Sequence, residues 1–156
     1  MNEVMITGSF DPITLGHMDI IRRSAEIFEG VAVVMFINPE KEYTFTLEER
    51  HEMMKAALKD IKGVRVDYSE GMVIDYAASH GIKTVVRGVR NSEDLEYEKR
   101  MAKFNKEKGG IETVLLIAED TLAEISSTKA REMIKKGVPL EEIMPKEILE
   151  MAKRPF

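Results

Sequence analysis

Apolar, β-branched runs alternate along this chain with stretches whose apolar positions recur at helical spacing. Val4-Met5-Ile6-Thr7 reads as a first buried strand. Met18, Ile20, Ile21, Ala25 and Phe28 then form a helical stripe, with Gly30 as its expected C-terminal cap. Val31 to Ile37 is apolar without alternation, as in strands covered on both faces. Thr46-Leu47-Glu48-Glu49 places a hydroxyl three residues before a carboxylate, a capping-box pattern that predicts a helix through Leu58.

The alternation continues to the end of the chain. Val64 to Tyr68 reads as a strand, and Met72 to His80 as a short helix ended by Gly81. Thr84-Val85-Val86 is a fourth strand leading straight into Arg87-Gly88-Val89-Arg90. Ser92 to Lys108 is a charged helix stopped by Gly109-Gly110, and Thr113 to Ala118 a fifth strand. Ser127 to Lys136 is a helix followed by Gly137, and a last short helix follows Pro145.

Strands separated by helices and short connections require crossovers, and crossovers make neighbouring strands parallel. The expected fold is therefore α/β: a single doubly wound, Rossmann-like, five-stranded parallel sheet with helices on both faces and a C-terminal helix. No repeat or Gly/Ser-rich linker divides the chain, so residues 1–156 read as one domain. Ligands of such sheets bind beyond the carboxyl ends of the strands. That rule gathers residues 8–17, 38–45 and 87–91 on one rim.

Composition narrows the chemistry. With no cysteine, disulfides, cysteine-ligated zinc and a thiol nucleophile are excluded. A net charge of -5 argues against a polyanionic nucleic-acid partner, though not against a small phosphorylated ligand met by a few focused cations. The start of the chain has no basic region before its apolar residues, and Val31 to Ile37 is too short to cross a bilayer. No membrane partner and a cytoplasmic location are the expectations.

The first connection, Gly8-Ser9-Phe10-Asp11-Pro12-Ile13-Thr14-Leu15-Gly16-His17, is richer than a turn requires. A helix starting near Thr14 or Gly16 would aim free N–H groups into the crevice as an anion site. Gly8 and Gly16 would let backbone approach a phosphate, and Thr14 and His17 would share one helical face. It is neither a Walker A loop nor a dinucleotide G-x-G-x-x-G turn. Arg87 and Arg90 flank Gly88-Val89 just beyond the fourth strand, as a paired phosphate site or equally as solvated surface arginines. Ile125-Ser126-Ser127-Thr128 opens another helix, as a second anion site or as a simple cap.

Together these segments resemble a known family. Thr14-Leu15-Gly16-His17 after Gly8-Ser9-Phe10-Asp11-Pro12 resembles the (H/T)xGH signature of the nucleotidyltransferase superfamily, and Ile125-Ser126-Ser127-Thr128 with Arg131 resembles its ISSTxxR signature. The middle of the chain resembles the bacterial phosphopantetheine adenylyltransferases. The matching residues are Lys41 before Phe45-Thr46-Leu47-Glu48-Glu49-Arg50, Gly71 to Ala77, Arg87 to Arg90, Asp94 to Glu98, and Asn105. The likeness runs from the first strand to the last helix. In place of an aromatic just before Ile125, this chain has Leu122-Ala123-Glu124.

The resemblance implies transfer of AMP from ATP to 4′-phosphopantetheine, giving dephospho-CoA and pyrophosphate, with Mg2+ held through substrate phosphates. It implies catalytic roles for His17, Lys41 and Arg87. It places Ser9, Phe10, Thr14, Gly16, His17, Gly88, Val89, Arg90, Glu98, Ile125, Ser126, Ser127 and Thr128 around ATP. Ser9, Lys41, Val73, Arg87 and Asn105 would meet the phosphopantetheine. A homohexamer and inhibition by CoA are implied in the same way. His17 is expected to donate to the α-phosphate, with neighbouring phosphates favouring its protonated form. His51 and His80, on helices away from the rim, read as surface or helix-end residues. The rival readings are an adenylyltransferase for another small acceptor, such as nicotinamide mononucleotide, and a nucleotide-binding module without turnover.

Overall fold

The computed structural model describes residues 2–153. Five strands, β1 (Glu3–Gly8), β2 (Gly30–Phe36), β3 (Val64–Ser69), β4 (Thr84–Val89) and β5 (Glu112–Ile117), form one sheet in the order β3-β2-β1-β4-β5. All pairings are parallel, with Gly8 opposite Met35 and Val89 opposite Ile117 at the carboxyl ends. The order reverses between β1 and β4. A crevice opens at that point because the crossovers on either side leave in opposite directions.

Strand alternation divides the core. Val4 and Ile6 of β1, with Val31, Val33 and Met35 of β2, pack beneath α1 (Leu15–Ile27), α2 (Leu47–Leu58), α5 (Ser127–Lys136) and the C-terminal segment. Met5, Ala32, Val34 and Val85 face the other way, onto Tyr76 and Ala77 of α3 (Val73–His80). α4 (Ser92–Gly109) lies beside α3, and 3-10 turns precede α5 and the final helix α6 (Leu149–Ala152). Among the described residues no helix is long and apolar enough to cross a membrane.

The capping box at Thr46 forms as its spacing predicts, with Thr46 and Glu49 exchanging side-chain-to-backbone bonds. Gly81, Gly110 and Gly137 close α3, α4 and α5 in the left-handed region that glycine tolerates best. Two expectations fail. Gly30 is not a cap: α1 ends at Ile27 with Phe28 already extended, and Gly30 pairs with Glu3 as the first residue of β2. Pairing with β1 therefore claims the glycine before a left-handed turn can form. Arg87, Gly88 and Val89 do not lie beyond β4 but are its last three residues. β5 remains paired with them as far as Val89.

Candidate functional site

α1 begins at the crevice. Its N-cap, Thr14, is buried and accepts from the His17 N–H, while His17 Nδ1 accepts from the Thr14 N–H at 3.0 Å. The pair makes a reciprocal capping box with an imidazole where a Glu or Gln ordinarily stands. With Nδ1 engaged as acceptor, the proton of a neutral ring sits on Nε2. The Phe10 ring meets the imidazole edge-on at 4.9 Å between centroids. Burial, reinforced by the charges of Arg87 and Arg90, lowers the His17 pKa to about 4. The protonated form expected beside phosphates is therefore not the form the protein itself favours: protonating Nδ1 would break the bond to Thr14.

The helix start is also less open to anions than a bare N-terminus. The Thr14 amide is taken by His17, the Leu15 amide by the Ile143 carbonyl and the His17 amide by Thr14, leaving Gly16. α5 offers more. Ser126 accepts from the Lys129 amide and the Ser127 hydroxyl donates to Pro12 O, while among the described residues no acceptor meets the Ser127 and Thr128 amides. The Thr128 hydroxyl accepts from Arg131, whose guanidinium also donates to Asp11 O. α5 is thereby tied directly to the first connection.

That connection is rigidly held. Asp11, 4% exposed, accepts from the amides of Thr44 and Phe45, and buried Arg50 donates to Ser9 O and Phe45 O. Phe10 adopts φ 47°, uncommon for a residue with a side chain, which turns its ring back over Gly8. A Cβ on Gly8 would stand 3.3 Å from that ring. At Gly88 a Cβ would come within 2.9 Å of Ile20, so helix-to-strand packing demands this glycine.

Two cavities open on the rim. One, of about 460 Å³, is lined by Ser9, Lys41, Val73 and Asn105, with Met72, Ile74, Met101 and Phe104 forming much of its apolar wall. The other, of about 350 Å³, is lined by Thr14, Gly16, His17, Gly88, Arg90, Leu122, Ile125, Ser126 and Ser127. Thr7, Arg87, Tyr97 and Glu98 line both. They meet where β1 and β4 part.

Arg87 dominates the junction. Its Nε lies 3.0 Å from both Glu98 carboxylate oxygens, Nη2 lies 3.0 Å from Glu98 Oε2, and Nη1 donates to Thr7 O and Oγ1. Three of five guanidinium hydrogens are thus hydrogen-bonded to protein, and Nη2 makes only the ion-pair contact with Glu98. Glu98 is 5% exposed and serves as the counter-charge to Arg87. Arg90 pairs with Asp94 and donates to Ile125 O, joining the end of β4 to the segment before α5. Burial raises the Asp94 carboxyl, but bonds from Arg90 outweigh that and leave it below its ordinary value.

Of the residues singled out in the sequence, Phe10, Val89 and Thr128 line neither cavity. Phe10 is packed against His17, and Val89 is buried. Ser9 borders the larger cavity alone. Lys41 is exposed on its loop, with Nζ 5.3 Å from the Tyr43 ring centre. His51 sits near Tyr68, and His80 stacks on Tyr76 at the end of α3, both away from the cavities. Tyr97 and the brace Arg50 fall within stretches that carry the family resemblance, which implies no role for either, and Thr7 carries no motif signal. Tyr97, Met101 and Phe104, apolar and exposed along one face of α4, mark a surface that meets something other than core.

Among the described residues no group of three or more His, Asp or Glu side chains could hold a metal ion. Near the junction Glu98 and Asp94 are already committed to Arg87 and Arg90. The donor set does not fit a resident cation.

A cytidylyltransferase-like family profile matches residues 5–133. A phosphopantetheine adenylyltransferase of Finegoldia magna is 43% identical over 99% of this chain and 96% of its own length. One of Thermotoga neapolitana is 43% identical over 90% and 88%, and one of Symbiobacterium thermophilum 42% identical over 93% and 90%. The chain belongs to the cytidylyltransferase-like family and, within it, to the phosphopantetheine adenylyltransferases.

Proposed function

We propose, from that membership, that the chain transfers AMP from ATP to 4′-phosphopantetheine, giving dephospho-CoA and pyrophosphate. The observation that carries the reading is the meeting of two cavities at Arg87 and Glu98. The cavity beside His17 and α5 suits the triphosphate: it offers an Nε2–H donor, the Ser127 amide, and Arg90. The larger cavity, between α3 and α4, suits an extended arm, with Val73 and Asn105 along it and Lys41 at its mouth.

The acceptor phosphate is ionised at neutral pH, so no general base is needed to make the nucleophile. Its oxygen attacks the α-phosphorus in line, the P–O bond to the leaving pyrophosphate breaks, and no proton must move. Holding two anions together is the main obstacle. Lys41 and the Nη2 group of Arg87 neutralise the acceptor, while His17 donates to an α-phosphoryl oxygen as charge gathers there. Thr14 keeps the imidazole in the tautomer that can donate. Ser9, Phe10, Gly16, Gly88, Val89, Glu98 and Ile125 shape the nucleotide side by backbone, packing or ion pairing. Ser9 is shared with the acceptor side.

Magnesium belongs to the substrate here and arrives with the phosphates of ATP. Residues 1–156 act as one nucleotidyltransferase domain, a reading supported by the single sheet and by the span of the relatives. Homohexameric assembly, cytoplasmic location and inhibition by CoA accompany the family reading, and sedimentation of the purified chain tests the first. For the activity, pyrophosphate release is measured with ATP and a panel of acceptors. Release with 4′-phosphopantetheine, and none with its dephosphorylated form or nicotinamide mononucleotide, is expected. Release with nicotinamide mononucleotide alone, or ATP binding without turnover, would move the chain to one of the rival readings.

A further inference from the structure

Arg50 is a cation inside the protein, 2% exposed, with no ion pair among the described residues. Burial lowers its pKa, an effect opposed chiefly by the charge of Asp11 and also by that of Glu48. Such a group is costly unless its donors are met. Its Nε donates to Phe45 O at 3.2 Å and its Nη1 to Ser9 O at 3.0 Å, so one side chain holds two rim loops. Its planar face lies against the Tyr43 ring, with the guanidinium carbon 3.9 Å from the ring centre. On the same ring sits Lys41, Nζ 5.3 Å from the centre. Tyr43 Oη accepts from the Asn38 amide at 2.9 Å, and Asn38 O accepts from the Lys41 amide at 3.0 Å. The loop carrying Lys41 is therefore folded around Tyr43.

Lys41 is exposed and makes no ion pair among the described residues. A lysine with four rotatable bonds would otherwise wander, and ordering it on substrate binding would cost entropy. The ring quadrupole gives the ammonium a seat without cancelling its charge, as a carboxylate would.

We propose that Arg50 and Tyr43 are positioning residues for Lys41. The buried guanidinium fixes the ring, and the ring holds the ammonium at the mouth of the larger cavity, poised for the acceptor phosphate. The inference rests on the adenylyl-transfer reading for its purpose but not for its geometry.

The test uses Tyr43→Leu, which removes the ring, and Tyr43→Phe, which removes only the hydroxyl, in the full chain. Arg50 itself is a poor first target because its loss would loosen two loops together. In ligand-free protein, an amine-reactive reagent followed by mass spectrometry reads the labelling rate of Lys41. That rate is expected to rise in Tyr43→Leu and to change less in Tyr43→Phe. In turnover, Tyr43→Leu is expected to cost roughly 3- to 30-fold, the scale of one cation–π contact. It should cost nothing further in a Lys41→Ala background, since the ring acts only through the amine. An unchanged labelling rate, undiminished turnover, or an equal loss with and without Lys41 would overturn the proposal. Failure of the unsubstituted chain to release pyrophosphate would instead count against adenylyl transfer, leaving the labelling result to decide the stack.

Discussion

His17 Nδ1 accepts the backbone N–H of Thr14, three residues earlier, and thereby fixes which ring nitrogen carries the proton. Helix capping and phosphate chemistry are joined in that bond. A Glu at position 17 would close the helix equally well but would present a negative charge to the nucleotide. The imidazole closes the helix with one nitrogen and leaves the other as a neutral donor.

Glutamine at position 17 separates these two duties. Its side-chain oxygen can accept from Thr14, so His17→Gln should melt close to the unsubstituted protein. His17→Ala should lose about 0.5–2 kcal/mol through the broken cap. Both should lose about 10²- to 10³-fold in turnover, the scale of one preorganised donor. Calorimetry and pyrophosphate release on the same preparations check the split.

The lowered pKa of His17 has a consequence in acid. The unfolded chain takes up a proton near pH 6.5, whereas the folded ring resists until about pH 4. The unfolded state therefore binds more protons across that window. The contribution to stability is complete above pH 6.5 and is lost as pH falls towards 4. The melting temperature of the unsubstituted protein should drop more steeply over this range than that of His17→Gln. Parallel slopes would place the neutral ring in doubt.

Arg87→Ala should strike both binding and folding. The Michaelis constant for the phosphorylated acceptor should rise while that for ATP changes little. Glu98 would be left buried without its partner, at a cost of roughly 1.5–3 kcal/mol, the scale of a hydrogen bond to a charged group. Arg87 is itself 30% exposed, which keeps the figure below that of a fully buried pair. Adding Glu98→Gln should recover part of the stability and none of the acceptor binding.

The fold was largely legible because its signals are local. Periodicity marked every strand, and the hydroxyl and carboxylate of Thr46 and Glu49 announced their helix in four letters. The His17 cap was hidden because imidazole is not among the side chains that pattern admits. Gly30 misled because a glycine after a helical stripe serves a cap or a tight strand start alike, and only pairing with Glu3 decides. Arg87 and Glu98 are 11 residues apart on a strand and a helix, and no spacing rule brings them together. Arg50 closes a stretch that carries the family resemblance, but its role as a brace shows only in its two carbonyl partners, one of them 41 residues away.

Chelation should separate substrate metal from structural metal. With no resident donor cluster among the described residues, EDTA should abolish pyrophosphate release and leave the melting temperature of the free protein unchanged. A fall in melting temperature with EDTA would reveal a bound ion that the side chains do not announce.

The most direct measurement is a crystal structure with dephospho-CoA bound. The product should bridge the two cavities, its adenylyl group between His17 and the start of α5 and its pantetheine arm running towards Asn105. An α-phosphoryl oxygen should lie within hydrogen-bond reach of His17 Nε2, with the neighbouring phosphate at Arg87 and Lys41. A product confined to one cavity, or an imidazole turned from the phosphates, would contradict transfer across this junction.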